Sequence, residues 1–326
     1  MKRRSFLLGA GATAIGLPYA LPSFAASAYP DRPITYIVPV APGGGSDYVG
    51  RATANALGKE LGATFIVENQ SGGGGVIACQ KTMRSKPDGY TLMQGYVATL
   101  GTAPATRKVP YDPIKDFTAV GMIGGTPNVL VVNSKLPVHN LKEFIAYAKS
   151  QSNVNYGSAG AGSLTHLLME LLQQQAGTHM VHIAYKGIAP AFTDLLSQQT
   201  QFMFPGLAAA VPHLRAGTVR AIALSGESRN KNFPDVPTFK ELGLAGFDDV
   251  LQWYGISGPA GMDNGVVQTL NTALNKVLQD PALTKSLDTE AIMPMPMSPA
   301  QFAAYVAKDY ERWAKLAKEQ NIHLDA

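Results

Sequence analysis

Two periods of hydrophobicity alternate along this chain. Short runs rich in Val, Ile, Tyr and Phe at 34–38, 65–68 and 91–93 read as buried strands. Between them Val49, Ala52, Ala56 and Leu57, then Val76, Cys79 and Met83, recur at the spacing of amphipathic helices. The alternation resumes with strands at 129–132, 154–156, 180–183, 202–204 and 219–224. Helices between these are marked by Leu141, Phe144, Ile145 and Ala148, by Leu164, Leu167, Leu168, Leu171 and Leu172, and by Phe192, Leu195 and Leu196. Asn140 and Glu143 have the N-cap and N3 spacing of a capping box. The tail is helical: Val267, Leu270, Leu274 and Leu278 form one stripe, and Ser298-Pro299-Ala300-Gln301 supplies N-cap, N1 proline and N3 glutamine for a last helix through Phe302, Val306 and Trp313.

This rhythm predicts βαβ units, hence an α/β fold with mainly parallel sheets flanked by helices. Two such series followed by surplus helix predict two domains, with the chain crossing near Val131 and returning near Leu251. Residues 29–131 plus 251–326 are then domain 1 and 132–250 domain 2. A small ligand is expected in the cleft between them, beyond the carboxyl ends of the strands.

Composition narrows the class. The 326 residues are 46% apolar and 15% charged, which excludes disorder or coiled coil for the whole chain. Lys2, Arg3 and Arg4 open an acid-free leader, followed by an apolar stretch over 6–26 and by Ala26-Ser27-Ala28, the arrangement of an export signal cleaved after Ala28. Arg3-Arg4 before Ser5-Phe6-Leu7 resembles a twin-arginine signal, so the expected destination is the bacterial periplasm. Pro18 and Pro22 interrupt the stretch, and no later run approaches the roughly 18 apolar residues of a membrane span. Gly9-Ala10-Gly11-Ala12-Thr13-Ala14 matches a dinucleotide fingerprint, yet it lies in the leader and follows no strand. Without the leader, 24 of the 27 basic residues stand against 23 acidic ones, which leaves no electrostatic footprint for nucleic acid or anionic membrane. Cys79 is the sole cysteine, so no internal disulfide or thiolate metal cluster can form, and its helical spacing predicts a buried structural thiol.

Candidate chemistry concentrates in two glycine loops. The segment Val38-Pro39-Val40-Ala41-Pro42-Gly43-Gly44-Gly45-Ser46-Asp47 runs from an apolar strand into a helix, so unhindered backbone N–H groups meet a helix N-terminus, an anion site. It lacks the GKS/T ending of a nucleotide loop. Asp47 and Arg51, four residues apart on one helix face, are expected to pair with each other, with Asp47 also accepting loop amides. The second loop, Ser158-Ala159-Gly160-Ala161-Gly162-Ser163-Leu164-Thr165-His166, adds the hydroxyls of Ser158, Ser163 and Thr165. Two such loops in two domains suit the two ends of a dianion.

Enzyme chemistry is less well supported. The alternative is an exported serine hydrolase of a carboxylated ester or amide with Ser46, Ser158 or Ser163 as nucleophile, but neither loop is GxSxG and no base is identifiable by spacing. His179 with His182, or His166 with Glu170, lacks a third ligand at a usual spacing, so neither metal nor cofactor is expected.

Several stretches together resemble the solute receptors of tripartite tricarboxylate transporters, the Bug-type periplasmic binding proteins. They are YPDRPITYIVPVAPGGGSDYVGR at 29–51, YGSAGAGSLTHL at 156–167, AYKGIAPAFTDLL at 184–196, and PDVPTFKELGLAGF at 234–247 leading into WYGISGPAGM at 253–262. With KPDGYTLM at 86–93 and PHLRAGTVRAIALS at 212–225 the likeness spans essentially the whole mature chain. The resemblance implies a two-domain flytrap fold, no catalysis, and carboxylate binding through loop amides, hydroxyls and waters. Its implied partners are a small carboxylated solute and a membrane permease; the expected state is a monomer. Carried over, the ligand-binding residues are Val40, Ala41, Gly43, Gly44, Gly45, Ser46 and Asp47 with Tyr96, Ala98 and Thr99 in domain 1. In domain 2 they are Ser158, Ala159, Gly160, Gly162, Ser163, Thr165 and His166 with Gly187, Ala189 and Pro205. One departure is visible: Pro205-Gly206 stands where many members carry an acidic or hydroxyl residue. Trp253 and Tyr254 have the chemistry to stack on an aromatic acid, though core packing is the commoner fate of such residues.

Overall fold

The computed structural model describes residues 29–43, 45–151 and 153–322. The expected leader with its cleavage point, and Gly44, lie outside the described residues. The chain lays down β1 (Ile34–Val38), α1 (Gly45–Leu61), β2 (Phe65–Asn69), α2 (Val76–Met83) and β3 (Thr91–Tyr96), a π-helical turn at Val97–Thr102, α3 (Ala103–Thr106) and the long strand β4 (Phe117–Pro127). It continues with β5 (Val129–Asn133), α4 (Leu141–Ser150), β6 (Asn155–Ser158), α5 (Leu164–Ala176), β7 (Val181–Ala184), α6 (Ile188–Leu196), β8 (Phe202–Met203), α7 (Leu207–Arg215) and β9 (Val219–Leu224). It returns through β10 (Leu251–Pro259), α8 (Asn264–Val277), α9 (Pro281–Thr289), β11 (Met293–Pro294) and α10 (Pro299–Glu319).

These strands form two sheets with flanking helices, ordered β11-β4-β10-β3-β1-β2 and β7-β6-β8-β5-β9. The α/β expectation holds, but each sheet is mixed rather than mainly parallel. Pairs β1–β2, β1–β3, β6–β7 and β6–β8 are parallel, whereas β10 runs antiparallel to β3 and β4, and β5 antiparallel to β8 and β9. The antiparallel strands are those that carry the chain between sheets, so they are not bound by the helical crossover that forces parallel pairing.

The chain changes sheet at Asn128, between β4 and β5. Residues 131 and 132 lie inside β5, which is paired on both sides. At the crossing, the backbone N–H of buried Asn128 donates to Ser225 Oγ (2.8 Å), whose hydroxyl donates to the Val250 carbonyl (2.7 Å). One hydroxyl thus joins the outgoing strand, the end of β9 and the start of β10.

Local rules account for the helix ends. Ser298 and Gln301 form the expected capping box. Asn140 caps α4, while Glu143 reaches one residue further back, to the His139 N–H (2.7 Å), instead of closing the box on Asn140. Long α10 is locked onto β10 by buried Asp309, which accepts the indole N–H of Trp253 (2.8 Å) and of Trp313 (3.0 Å). Burial raises the Asp309 carboxyl to about 6, and the two indole donors offset only part of that. Cys79 is fully buried, as its spacing predicts, and its thiol is pushed up to about 12 by burial, which removes it as a nucleophile. No described helix is long and apolar enough to cross a membrane.

Candidate functional site

Between the two sheets lies a cavity of about 240 Å³. Its wall comes from Gly45 and Ser46 at the start of α1, Ala159 just past β6 and Thr165 at the start of α5, Ile188 at the start of α6, and Gly206, Ala208 and Ala209 at the start of α7. Thr126 of β4, Gln252 and Tyr254 of β10, and Glu290 just past α9 complete it. Four helix N-termini therefore converge on one space. The first N–H groups of a helix have no partner inside it, and α6 and α7 have no side-chain cap. Their N–H dipoles add to the positive ends of the helices and favour an anion.

The first loop is held by its own acid. Asp47, 4% exposed, accepts the Gly43 N–H (2.9 Å), Asn69 Nδ2 (2.8 Å) and Arg51 Nε (3.0 Å). Burial alone would raise this carboxyl, but the bonds from Arg51, Asn69 and Gly43 together hold it below the usual carboxylate range. Gly43 turns at φ 94°, where a Cβ is strained. Gln94, wholly buried on β3, donates to Ser46 Oγ (2.7 Å) and to the Ser46 carbonyl (2.9 Å). Because Ser46 Oγ is the acceptor in that bond, its own proton is free to point into the cavity.

The second loop spends its hydroxyls on itself. Ser163 Oγ donates to the Gly160 carbonyl (2.6 Å), so in its contact with Thr165 Oγ1 (2.9 Å) the threonine is the donor; Thr165 also accepts the Ala159 N–H (2.9 Å). Ser158 is fully buried, exchanges bonds with Gly160 and lies 2.6 Å from His182 Nε2. The Gly162 N–H donates to His166 Nδ1 (3.1 Å), which puts the His166 proton on Nε2, toward Glu170 at 3.7 Å. The His166 and His182 rings stack at 3.8 Å with Tyr156 beyond. Burial, with the neighbouring ring, lowers His166 to about 3, and burial lowers His182 to about 4, so both are neutral near pH 7.

Of the expected residues, Gly45, Ser46, Ala159 and Thr165 line the cavity. Val40, Gly43 and Asp47 are bonded into the frame of the first loop without lining the cavity, Ala41 is an exposed residue of that loop, and Ser158, Gly160, Gly162, Ser163 and His166 form the frame of the second. Thr99 is fully buried, its hydroxyl closed on the Tyr96 carbonyl (3.1 Å), because the π-helical turn draws it inward. Tyr96 reaches the site only by stacking on Tyr254 (6.4 Å, 9°). Gly187, Ala189 and Pro205 adjoin lining residues without lining the cavity, and Ala98, inside the π-helical turn, does not line it. Trp253 is a core residue packed on Phe302 and Tyr305, while Tyr254 faces the site. Sequence reasoning missed Thr126, Gln252, Glu290 and the N-terminus of α7; Gly206 before the Ala208-Ala209-Ala210 run was the available signal for the last.

The geometry also bears on hydrolase chemistry. Ser158 has a histidine neighbour that spacing did not reveal, yet it has no exposed surface, and His182 has no carboxylate partner among the described residues. Ser46 faces the cavity with Gln94, and no histidine or carboxylate, bonded to its hydroxyl among the described residues.

Comparison with known proteins agrees with this architecture. The profile described as "Tripartite tricarboxylate transporter family receptor" matches residues 49–322. Protein BugT of Bordetella pertussis is 35% identical over 302 residues, 92% of either chain. The solved structure of the periplasmic binding protein BugD superposes with a TM-score of 0.78 at 31% identity, covering 91% of this chain and 100% of that one. The R. palustris protein Rpa4515, solved with adipate, gives 0.82 at 31% identity over the same shares.

Proposed function

The chain belongs to the receptor family of tripartite tricarboxylate transporters, whose members are periplasmic solute-binding proteins and not enzymes, and from that premise we propose that it captures a small carboxylated solute between its two domains and hands it to the membrane permease of such a transporter. The supporting observation is the convergence of four helix N-termini on one cavity between two sheets. A carboxylate there meets N–H groups that no helix bond uses, plus the Ser46 hydroxyl proton, in a space where water competes poorly for either. The adipate bound by a relative of the same fold supports the ligand class. The two loop frames, one built on Asp47 and one on the stacked histidines, keep those donors in place before the solute arrives, which lowers the ordering cost of binding.

In this reading the leader at 1–28 carries the chain to the periplasm and is removed after Ala28. The two bodies turn about Asn128 and about the 225–250 segment. Rotation inside β5 would break a ladder paired on both edges, so the hinge lies before Val129 and not at 131–133.

A thermal-shift screen over mono-, di- and tricarboxylates, amino acids and aromatic acids tests the proposal. A solute at about 100 times its dissociation constant adds roughly 2.7 kcal/mol to the native state. Turnover of a carboxylated ester, lost in Ser158→Ala, would overturn it.

A further inference from the structure

Glu290 is the one charged side chain lining the cavity among the described residues. Among the described residues its carboxylate has no hydrogen-bond or ion-pair partner. Its Oε2 lies 3.0 Å from where a Cβ on Gly45 would stand, so it reaches the very start of α1. The backbone is bent to hold it there: Ala291, the next residue, has φ 51°, a left-handed conformation costly for a residue with a Cβ. Ala291 is 3% exposed and belongs to a buried cluster whose other members, Val129 and Leu207 among them, come from the opposite domain, which anchors the bend. Burial raises the Glu290 carboxyl above its ordinary value, as expected for an acid held without a countercharge.

We propose that Glu290 is a specificity-determining residue that receives a positively charged nitrogen of the solute, so that the cargo is a carboxylate that also carries an ammonium group. This deepens the receptor reading and rests on it. The cavity then has two electrical ends. The helix N-termini take the carboxylate, and Glu290, the one full charge among the described lining residues, takes the cation. A hydroxyl would return one hydrogen bond to a half-buried carboxylate, whereas an ammonium also cancels its charge, and an uncompensated charge is the costlier defect. A plain dicarboxylate would place a second negative group near Glu290 and lose affinity by repulsion.

Isothermal titration with two matched series tests this: succinate, malate and aspartate, then glutarate, 2-hydroxyglutarate and glutamate. The parent should bind the amino member of at least one series ten-fold or more tighter than its unsubstituted partner. Glu290→Gln should remove that preference and leave the unsubstituted acid bound as well or better. A parent that prefers the unsubstituted or hydroxy acid, or a preference for the amino acid that survives Glu290→Gln, overturns the inference while the receptor reading stands. Binding of none of the six, with no shift in the wider acid screen, overturns both. Retained binding of the unsubstituted acid shows that the variant is folded.

Discussion

Two side chains decide what the first loop offers a ligand. Gln94 supplies both of its protons to Ser46, and only because of that is the serine's own proton free. Ser46→Ala should therefore weaken carboxylate binding by about ten-fold or more, the equivalent of one hydrogen bond to a charged group at about 1.5–3 kcal/mol. Gln94→Leu should reproduce most of that loss, and the double variant should fall short of the sum, as titration would show. Arg51→Ala should cost much less, since half of Arg51 is exposed and it acts by bracing Asp47 and Asn69. In the second loop the histidine pair predicts a pH dependence. Both rings titrate lower in the folded protein than the usual value of about 6.5, to about 3 for His166 and about 4 for His182. Between these limits the unfolded chain binds protons that the folded one refuses, so stability is full above pH 6.5 and declines as the pH falls through 4 toward 3. Chemical denaturation at pH 7, 5.5 and 4.5 should show that decline, and His182→Phe, which keeps a stacked ring but cannot titrate, should flatten it. An unchanged slope would assign the effect to other groups.

At the scale of elements, β4 explains how a long central strand escapes pattern reading. Its sequence is FTAVGMIGGTP, and the glycines are there for space: a Cβ on Gly124 would lie 2.3 Å from the Met293 carbonyl oxygen, and one on Gly121 2.7 Å from Asn271 Nδ2. Alternation cannot be read where side chains are absent. Gly124→Ala should force β11 off the sheet edge and destabilise by about 1–3 kcal/mol. Gly206→Ala is the contrasting case, since its Cβ would meet Gln252 and Thr126 at an ordinary 3.8 Å. That variant should keep the parent's melting temperature while a methyl group narrows the cavity and weakens the larger solutes first. At the crossing, Ser225→Ala leaves a buried N–H and a buried carbonyl without their shared partner, a loss of about 1–3 kcal/mol measurable by urea unfolding.

The whole molecule places half of the cavity-lining residues on each side of the crossing at Asn128, so under the proposed function a solute would gain the second half of its contacts only when the cleft closes. Ligand then shifts the population toward closure by its differential affinity for that state. Small-angle scattering should give a smaller radius of gyration with a saturating solute than without one. Gly160→Val, strained at φ 129° in one domain alone, should need far more solute to reach the same radius. An unchanged radius with solute demonstrably bound would mean a rigid cleft.

Periodicity, caps and glycine runs were enough to read the α/β class, the longer helices though not α3, α7 or α9, both loops and the Asp47–Arg51 brace, because each depends on residues within a few positions of one another. Tertiary structure alone decided which hydroxyls remain free. Ser46 and Ser163 look equivalent in the chain, yet one is bonded by Gln94 from another strand and the other by Gly160 of its own loop. It also decided that Trp253 and Tyr254, adjacent in sequence, part company into core and cleft, as neighbours on a strand must. Glu290 follows an unremarkable helix and carries no local signal at all. Its place beside Gly45 exists only because the C-terminal helices fold back over the first sheet and bring together residues that neighbouring positions in the chain do not connect.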